Sequence, residues 1–382
     1  KWGLPVDPDA LVENLSVGAQ QRVEIVKALT RDVDLLILDE PTAVLTPQET
    51  EELLAVMRSL AESGKSIVFI THKLKEVRAI ADRITVIRRG AVVGTAGPSA
   101  SEAELASMMV GRDVRLKVEK DPVKITDAGP AFSVRDLTVV DPNGQAVVDD
   151  LSFDLQPGEI LGIAGVQGNG QSELAEAILG LFAPAAGSIV LDGVELVGKT
   201  PRQVLHSGVG FVPEDRSTDG LIGTSSVSEN LVLDLYDRPA FARRGTMDLP
   251  AIRRNAEDRV AEFDIRTGSI DTPAGKLSGG NQQKVVVARE MSRPLRMLVV
   301  SQPTRGVDVG AMEFIHKRIV RERDQGRPVL VISTELDEIF ALADRIAVMY
   351  RGKIMAIVPP ETSTEHIGLL MAGVHPEQDV TT

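Results

Sequence analysis

A long stretch of this sequence occurs twice, and that duplication constrains the fold more than any other feature. The segment LSGGNQQKVVVAREMSRPLRMLVVSQPT begins at Leu277, and LSVGAQQRVEIVKALTRDVDLLILDEPT begins at Leu15. The two copies stay in register without a gap as far as Gly111 and Gly373, at the offset that separates Leu15 from Leu277. A match of this length indicates that one folded unit is present twice. Each residue of the first copy therefore has a defined counterpart in the second.

The two copies differ in how much sequence stands ahead of the shared motif. Residues 131–276 precede it in the second copy, but only residues 1–14 precede it in the first. We therefore expect residues 1–111 to be the C-terminal part of a domain whose beginning is missing, and residues 131–382 to form a second domain. Residues 112–130 are rich in charge and carry prolines without helical or alternating periodicity, which predicts a linker.

Composition excludes several classes of protein and of site. The 382 residues suffice for two domains, and the 43% hydrophobic and 25% charged content is that of an ordinary soluble protein. The absence of cysteine excludes disulfides and cysteine-ligated zinc or iron–sulfur sites. A formal net charge of −13 argues against a nucleic-acid partner, because phosphate backbones bind basic surfaces. No apolar run approaches the roughly 20 residues that cross a bilayer.

Short apolar runs alternate with amphipathic stretches along most of the chain. The runs predicted as buried parallel strands are 35–38, 66–70, 161–164 and 209–212, and the predicted helices include 47–63 and 173–181. Alternating patterns predict antiparallel strands over 132–140 and 146–155, residues 217–276 are predicted as mixed helix and loop, and the tail, 375–382, as disordered. The expected fold class is α/β, a mostly parallel sheet with flanking helices, with an antiparallel β subdomain and a helical subdomain in the second domain.

One loop of the second domain has the pattern of a phosphate cradle. A predicted strand runs directly into it, a predicted helix follows, and its residues include Gly165, Gly168, Asn169 and Gly170. Glycines let backbone N–H groups approach phosphate oxygens, and the helix N-terminus adds positive potential. The full P-loop pattern continues with Lys and then Ser or Thr. Here Gln171 replaces the lysine, which removes a contact of about 1.5–3 kcal/mol, and Ser172 keeps the metal-binding hydroxyl. The alternative is an ordinary glycine-rich turn.

Two acids and a histidine follow predicted strands in the first domain. Asp39 and Glu40 come directly after an apolar run, and His72 follows the next strand. Asp39 is predicted to hold Mg²⁺ through water and Glu40 to polarise an attacking water, while His72 would bridge the phosphate and this base. The alternative is a strand that ends in solvated acids. The counterparts in the second copy are Ser301, Gln302 and Thr334, which cannot replace these groups.

A motif like LSGGQQ just ahead of an Asp-Glu strand, with a histidine beyond it, resembles the ATPase subunits of ABC transporters. In that family two nucleotide-binding domains meet head to tail, and each ATP lies between the P-loop of one domain and the signature motif of the other. The resemblance implies that the signature residues bind nucleotide; they are Ser16, Gly18 and Gln20, and in the second copy Ser278, Gly279, Gly280 and Gln282. Glu214 stands where the family usually has a glutamine that contacts the metal and the transmembrane partner.

Several longer motifs narrow the resemblance to the double-domain ATPases of bacterial sugar and nucleoside importers. They are LSVGAQQRVEIVKAL, DEPTAVLTPQE, GVQGNGQSEL, VPEDR and SQPTRGVDVGA. The QPTRG sequence and the P-loop without lysine look most like the nucleoside branch, and a simple-sugar importer stays open. The resemblance implies ATP and Mg²⁺ as cofactors, separate transmembrane permease subunits, an extracytoplasmic solute-binding protein, and a location at the cytoplasmic face of the plasma membrane.

The duplicated halves are thus expected to divide the chemistry between them. The first copy has the base, Glu40, without a P-loop in front of it, whereas the second has the cradle, 165–172, without a base. We expect the intact parent to hydrolyse ATP at one site only, and the chain as given to hydrolyse it near the background rate.

Two other classes of protein are open at this point. One is an ABC ATPase without a transporter, such as a ribosome-binding factor or a DNA-repair ATPase, although the short linker and the lost second acid pair argue against it. The other is a non-catalytic regulatory module, which would leave Asp39, Glu40 and His72 without a use. Co-purification with a permease rather than with ribosomes or DNA would separate the first class from a transporter.

Overall fold

The chain divides into two compact units in a computed structural model, Lys1–Leu116 and Lys117–Thr382, here called unit 1 and unit 2. The structure describes residues 7–12, 15, 17–30, 33–42, 45, 47–88, 90–112, 118, 120–121, 129–243 and 245–374. Most of the predicted linker, 112–130, and the tail, 375–382, lie outside the described residues. Within the described ranges, no helix combines the length and the apolarity needed to cross a bilayer.

Unit 1 alternates helices and strands, as the sequence pattern predicts. Its described elements are α1 (Val17–Leu29), β1 (Leu35–Asp39), α2 (Pro47–Glu62), β2 (Ser66–Ile70), α3 (Leu74–Ile80), β3 (Ile84–Arg88), β4 (Ala91–Ala96) and α4 (Glu102–Val110). Strands β1 and β2 pair in parallel, with Leu35 opposite Ser66, and β3 and β4 pair antiparallel. Ser101 and Glu104 form a capping box that satisfies the first N–H groups of α4.

The expectation that β1 and β2 are fully buried is wrong. Leu36 and Leu38 pack against α1 and α2 in a small core, but Leu35 and Ile37 are 51% and 61% exposed. Alternate residues of a strand point to opposite faces. The helices that contribute to this core cover one face of the two-stranded sheet, so the side chains of the other face stay open to solvent.

Unit 2 has a larger set of elements. Its strands are β5 (Phe132–Val140), β6 (Ala146–Leu155), β7 (Ile160–Ala164), β8 (Ala186–Leu191), β9 (Val194–Glu195), β10 (Val209–Val212), β11 (Ala242–Arg243), β12 (Thr246–Met247), β13 (Met297–Ser301), β14 (Val329–Ser333), β15 (Arg345–Tyr350) and β16 (Lys353–Val358). Its helices are α5 (Gln171–Ile178), α6 (Pro201–His206), α7 (Val227–Asn230), α8 (Leu249–Glu262), α9 (Gly279–Met291), α10 (Val309–Asp324), α11 (Leu336–Leu342) and α12 (Thr364–Met371).

A six-stranded sheet with the order β10-β13-β14-β7-β15-β16 forms the centre of unit 2. All neighbouring strands pair in parallel except β15 and β16. One face of the sheet packs on a core that includes α9 and α10, and the other packs on α5 and the antiparallel sheet of β5, β6, β8 and β9. The carboxyl ends of β7, β10, β13 and β14 meet at one edge, where ligands of α/β proteins bind.

Two local predictions for unit 2 need correction. The helix expected at 173–181 is α5, which begins two residues earlier because Gly170 adopts a φ of 101° and turns the chain directly into the helix. The segment 217–276 holds helix and loop as expected, but it also contains a small antiparallel hairpin, β11 with β12. A two-residue strand is too short to leave an alternating pattern in a sequence.

Candidate functional site

Glu40 and His72 lie next to each other at the carboxyl ends of β1 and β2. The parallel pairing sets Asp39 opposite Ile70, and the Glu40 N–H donates to the Ile70 carbonyl at 2.9 Å. The His72 ring nitrogen Nδ1 is then 2.8 Å from Glu40 Oε1. Glu40 has a φ of 46°, a conformation that non-glycine residues rarely adopt and that is enriched at functional sites. The structure thus brings together the two residues predicted as the base and its partner.

The same backbone geometry recurs in unit 2 with different side chains. Gln302, the counterpart of Glu40, has a φ of 49°, and its N–H donates to the Ile332 carbonyl at 2.7 Å. Its Nε2 donates to Thr334 Oγ1, the counterpart of the His72 ring, at 3.0 Å. An amide and a hydroxyl keep the hydrogen bond between the two strand ends, but neither can accept a proton from water.

A threonine–glutamate pair that sequence reasoning missed stabilises each strand end. Thr42 Oγ1 donates to Glu76 Oε2 at 2.6 Å, and Thr304 Oγ1 donates to Glu338 Oε1 at 2.6 Å. All four residues are buried. The sequence did carry a signal for these pairs, because the same threonine and glutamate recur at matching positions of the two copies.

The glycine-rich loop of unit 2 joins β7 to α5, as predicted. All five residues of β7 are buried, and Gly165 follows them directly. A Cβ on Gly170 would come 2.2 Å from the Val147 carbonyl oxygen, so only glycine fits there. The hydroxyl-bearing Ser172 is exposed in the first turn of α5. The loop therefore has the strand–loop–helix context of a phosphate cradle.

Gln171 folds back into this loop. Its carboxamide Nε2 donates to the Val166 carbonyl at 3.0 Å, and its Oε1 accepts the Asn169 N–H at 3.1 Å. The residue is 7% exposed. Asn169 is anchored in turn, because its Oδ1 accepts the Arg351 N–H at 2.8 Å and its Nδ2 donates to the Val166 carbonyl at 2.9 Å.

Glu214, predicted to contact nucleotide and metal, is paired with a residue that the sequence analysis did not single out. Arg305 Nη1 donates to Glu214 Oε1, and Gln167 Nε2 of the glycine-rich loop donates to the same oxygen at 3.2 Å. The pair joins the loop after β13 to the loop after β10. The two residues are 91 positions apart in the sequence, so no local sequence pattern predicts their pairing.

Arg216 is a second arginine that sequence reasoning missed. Its guanidinium donates to the carbonyls of Arg305 at 2.7 Å and Gly306 at 3.3 Å, and burial lowers its pKa. A Cβ on Gly279 would come 2.6 Å from Arg216 Nη2. The first copy has Val17 at the position of Gly279, and in unit 2 the glycine leaves room for the Arg216 guanidinium.

The signature residues lie at the N-termini of α1 and α9. Ser278 is the N-cap residue of α9, but its side chain makes no cap hydrogen bond to the helix and instead accepts from Asn281 Nδ2 at 2.8 Å. Gln282 Nε2 donates to the Leu277 carbonyl at 3.1 Å, and Gln20 Nε2 makes the equivalent contact to Leu15 at 3.0 Å. Gly18 lies in the first turn of α1, and Gly280 in that of α9. Ser16, predicted as a signature residue that binds nucleotide, lies outside the described residues.

A literal match to the P-loop pattern elsewhere in unit 2 is not a cradle. Residues 193–200 read GVELVGKT. Val194 and Glu195 form β9, which pairs antiparallel with β8, and the Thr200 hydroxyl accepts from Gln203 N–H at the start of α6. The segment is a β-hairpin followed by a capped helix, so the context, and not the pattern, identifies a phosphate loop.

The candidate metal ligands do not form a ready-made metal site. In the described parts of both units, no three His, Asp or Glu side chains cluster closely enough to hold a metal ion by themselves. Asp39 is an exposed carboxylate at the end of β1. Magnesium commonly uses one or two carboxylates together with phosphate oxygens and water, and Asp39 suits that arrangement. In unit 2 the corresponding Ser301 offers no carboxylate.

Comparison with known proteins gives consistent matches along the chain. A family model described as ABC transporter matches residues 3–43 and 148–305. A nucleoside import ATP-binding protein of Lactococcus lactis subsp. cremoris is 49% identical over 98% of this chain and 74% of that protein. A guanosine import ATP-binding protein of Bacillus subtilis is 46% identical over 98% and 73%. A ribose import ATP-binding protein of Rubrobacter xylanophilus is 40% identical over 98% and 74%.

Solved structures give the same fold. A nucleotide-free ATP-binding cassette from an ABC transporter matches with a TM-score of 0.52 and 22% identity, covering 65% of this chain and 97% of that one. A dimeric ATP-binding cassette bound to ADP and Pi matches with a TM-score of 0.53 and 21% identity, covering 61% and 100%. At these identities the likeness is one of fold.

Proposed function

The chain belongs to the ABC transporter family, and from that premise we propose that it is the ATP-binding and ATP-hydrolysing subunit that energises a nucleoside importer. The observation that carries the proposal is the pair of Glu40 and His72, 2.8 Å apart at the ends of two parallel strands. The nucleoside and guanosine import proteins among its relatives support the choice of solute.

Glu40 acts as the general base in this proposal. Its carboxylate orients and polarises the water that attacks the terminal phosphate, and His72 fixes the position of the carboxylate through their hydrogen bond. Removal of such a base costs about 10²–10⁴ in rate. Gln302 and Thr334 keep the geometry without the chemistry, so nucleotide held by unit 2 turns over slowly.

Unit 2 contributes a nucleotide-binding loop. Backbone N–H groups of 165–172 and the N-terminus of α5 bind phosphate oxygens. The signature residues at the N-termini of α1 and α9 are proposed to bind phosphate separately from this loop. Glu214 lies beside this loop, where it accepts hydrogen bonds from Gln167 and Arg305.

Magnesium fits unit 1 better than unit 2. Asp39 would hold the ion together with phosphate oxygens and water, and the ion would neutralise charge on the phosphates. In unit 2 the Ser172 hydroxyl suits the same ion, but Ser301 and Gln302 cannot supply the carboxylate.

The partners in this proposal are transmembrane permease subunits, which form the pathway, and an extracytoplasmic solute-binding protein, which selects the solute. The chain would sit at the cytoplasmic face of the plasma membrane and would bind no nucleic acid, consistent with its net charge of −13.

Binding without turnover by the purified chain tests the role of unit 2. We expect fluorescently labelled ATP to bind, with hydrolysis near background. Gly170→Ala should abolish binding, since its Cβ would collide with the Val147 carbonyl. Gly144→Ala is the matched control, because Gly144 also has a positive φ but has open space around it. Vigorous hydrolysis by residues 1–382 would contradict the proposal.

An importer for simple sugars is the second candidate, favoured by the ribose import relative. The test uses an extended chain, in which this sequence is joined to the part of the Lactococcus lactis relative that lies outside the matched region. The extended chain is expressed in a strain that lacks that relative. Restored uptake of labelled nucleoside supports the first candidate, and restored uptake of ribose alone supports the second.

A further inference from the structure

The side chain of Gln171 is hydrogen bonded within the glycine-rich loop of unit 2, the proposed phosphate cradle. In a working cradle the N–H groups of the loop converge on phosphate oxygens. In this structure the Asn169 N–H points instead to Gln171 Oε1, at 3.1 Å. The carboxamide oxygen thus takes the position of an acceptor that a nucleotide would otherwise supply.

The nitrogen of the same carboxamide bonds the other end of the loop. Gln171 Nε2 donates to the Val166 carbonyl at 3.0 Å and lies so close to Gly165 that a Cβ there would come within 2.4 Å of it. The side chain therefore spans the loop from its first residues to its fifth. The 7% exposure of Gln171 in the first turn of a helix reflects this inward position.

Only some residue types can make both contacts. Lysine has three donors and no acceptor, so it could bond the Val166 carbonyl but would leave the Asn169 N–H free for phosphate. Glutamine has a donor and an acceptor on one planar group and satisfies both ends of the loop. Replacement of the lysine therefore adds an internal ligand as well as removing a charge.

We propose that Gln171 is an intramolecular ligand of the cradle, which occupies the Asn169 N–H without nucleotide and must be displaced when a phosphate enters. This inference deepens the proposed binding of nucleotide by unit 2 and rests on it. Hydrogen bonds to a phosphate oxyanion are roughly twice as strong as neutral ones, so ATP can displace the carboxamide. Gln171 thereby sets the affinity of the second site.

The decisive comparison is between Gln171→Ala and the wild-type chain in equilibrium binding of fluorescently labelled ATP. If the carboxamide occupies the cradle, its removal frees one N–H, and Gln171→Ala binds about three- to tenfold more tightly, the equivalent of one hydrogen bond. If the only effect of glutamine at this position is the loss of the lysine charge, Gln171→Ala binds ATP no more tightly than the wild-type chain, and the proposal is overturned. Gln171→Lys should bind about tenfold or more tightly, and Gln171→Glu should lose binding.

Gln325→Ala serves as the matched control. Gln325 is exposed and follows α10, just ahead of β14. Because β14 and β7 run parallel, this position lies at the amino edge of the sheet, opposite the glycine-rich loop. The Gln325→Ala variant should bind ATP with the same affinity as the wild-type chain.

Amide hydrogen exchange of Asn169 in the nucleotide-free chain tests the inference without relying on ATP binding. We expect at least tenfold protection in the wild-type chain and loss of that protection in Gln171→Ala. Rapid exchange of the Asn169 N–H in the wild-type chain would refute the internal ligand. A protected Asn169 together with no ATP binding by any variant, Gln171→Lys included, would uphold the internal ligand and refute nucleotide binding by unit 2.

Discussion

Matched positions in the two copies carry different side chains on the same backbone geometry. Glu40 and Gln302 share a left-handed backbone conformation and the same hydrogen bond to the neighbouring strand. Their side chains contact His72 and Thr334 respectively. The fold places a side chain at the same point in both units, and of the two residues only Glu40 carries a carboxylate, which the proposed hydrolysis requires.

The threonine–glutamate pair behind each strand end gives a prediction at this scale. Thr304→Val should remove the 2.6 Å hydrogen bond to Glu338 and leave that buried carboxylate with one fewer partner. The expected loss is about 1–3 kcal/mol, measured as the free energy of opening of β13 by native-state hydrogen exchange. The control is Thr364→Val, at an exposed position in α12, which should change the free energy of opening of β13 by less than about 0.5 kcal/mol. Equal losses in the two variants would contradict the role of the pair.

The sequence was enough to locate the candidate residues, but not to predict all of their contacts. Strand ends and glycine spacing identify Glu40, His72 and the loop 165–172 because these features depend on local order. The position of the Gln171 side chain depends on the shape of the loop, and the pairing of Glu214 with Arg305 joins distant segments. Such contacts leave no local sequence pattern.

At the scale of elements, β1 and β13 occupy matching positions of the two copies but have different surroundings. Leu35 is 51% exposed, whereas its counterpart Met297 is fully buried. Met297 packs in the core that lies between the central sheet and α5. Hydrophobicity alone predicted two buried strands. The burial of a strand depends on which elements cover the sheet, and the sequence of the strand itself does not determine that coverage.

Paired truncations of these two residues test the difference. Met297→Ala should cost about 2–5 kcal/mol, because it removes buried methylene groups and leaves a cavity. Leu35→Ala should cost less than about 0.5 kcal/mol, as for exposed positions generally. Native-state hydrogen exchange of β13 and β1 measures each loss within its own unit. A large loss from Leu35→Ala would mean that this face of β1 is covered.

Arg216 connects the segment after β10 to the loop after β13 and to the first turn of α9 in unit 2. Its guanidinium bonds two carbonyls of the loop after β13 and lies 3.4 Å from Gln282 Oε1 in α9. Arg216→Gln should therefore loosen the start of α9 and raise the exchange rate of its amides about tenfold, while those of β7 and β14 stay unchanged. Arg216→Lys should retain part of the protection, because lysine still donates to the carbonyls. Arg253→Gln, which breaks an exposed pair with Asp271, is the control.

At the scale of the whole molecule, the apolar and alternating patterns of the sequence predicted the architecture well. They correctly gave alternating helices and strands, a mostly parallel central sheet in unit 2, and an antiparallel subdomain beside it. The family membership and the ABC cassette fold predicted from the motifs are confirmed by the comparisons. The β11–β12 hairpin and the open face of β1 were not predicted, since both depend on pairing and coverage rather than on residue pattern.

The central claim is that unit 1 supplies the base for hydrolysis and unit 2 does not. The most direct measurement is ATP hydrolysis by the extended chain, comparing Glu40→Gln with the converse change at the matched position, Gln302→Glu. We expect Glu40→Gln to lower the rate by about 10²–10⁴, and Gln302→Glu to leave it unchanged, because Ser301 and Thr334 still lack the other groups. Substantial hydrolysis by the Glu40→Gln variant would contradict the account.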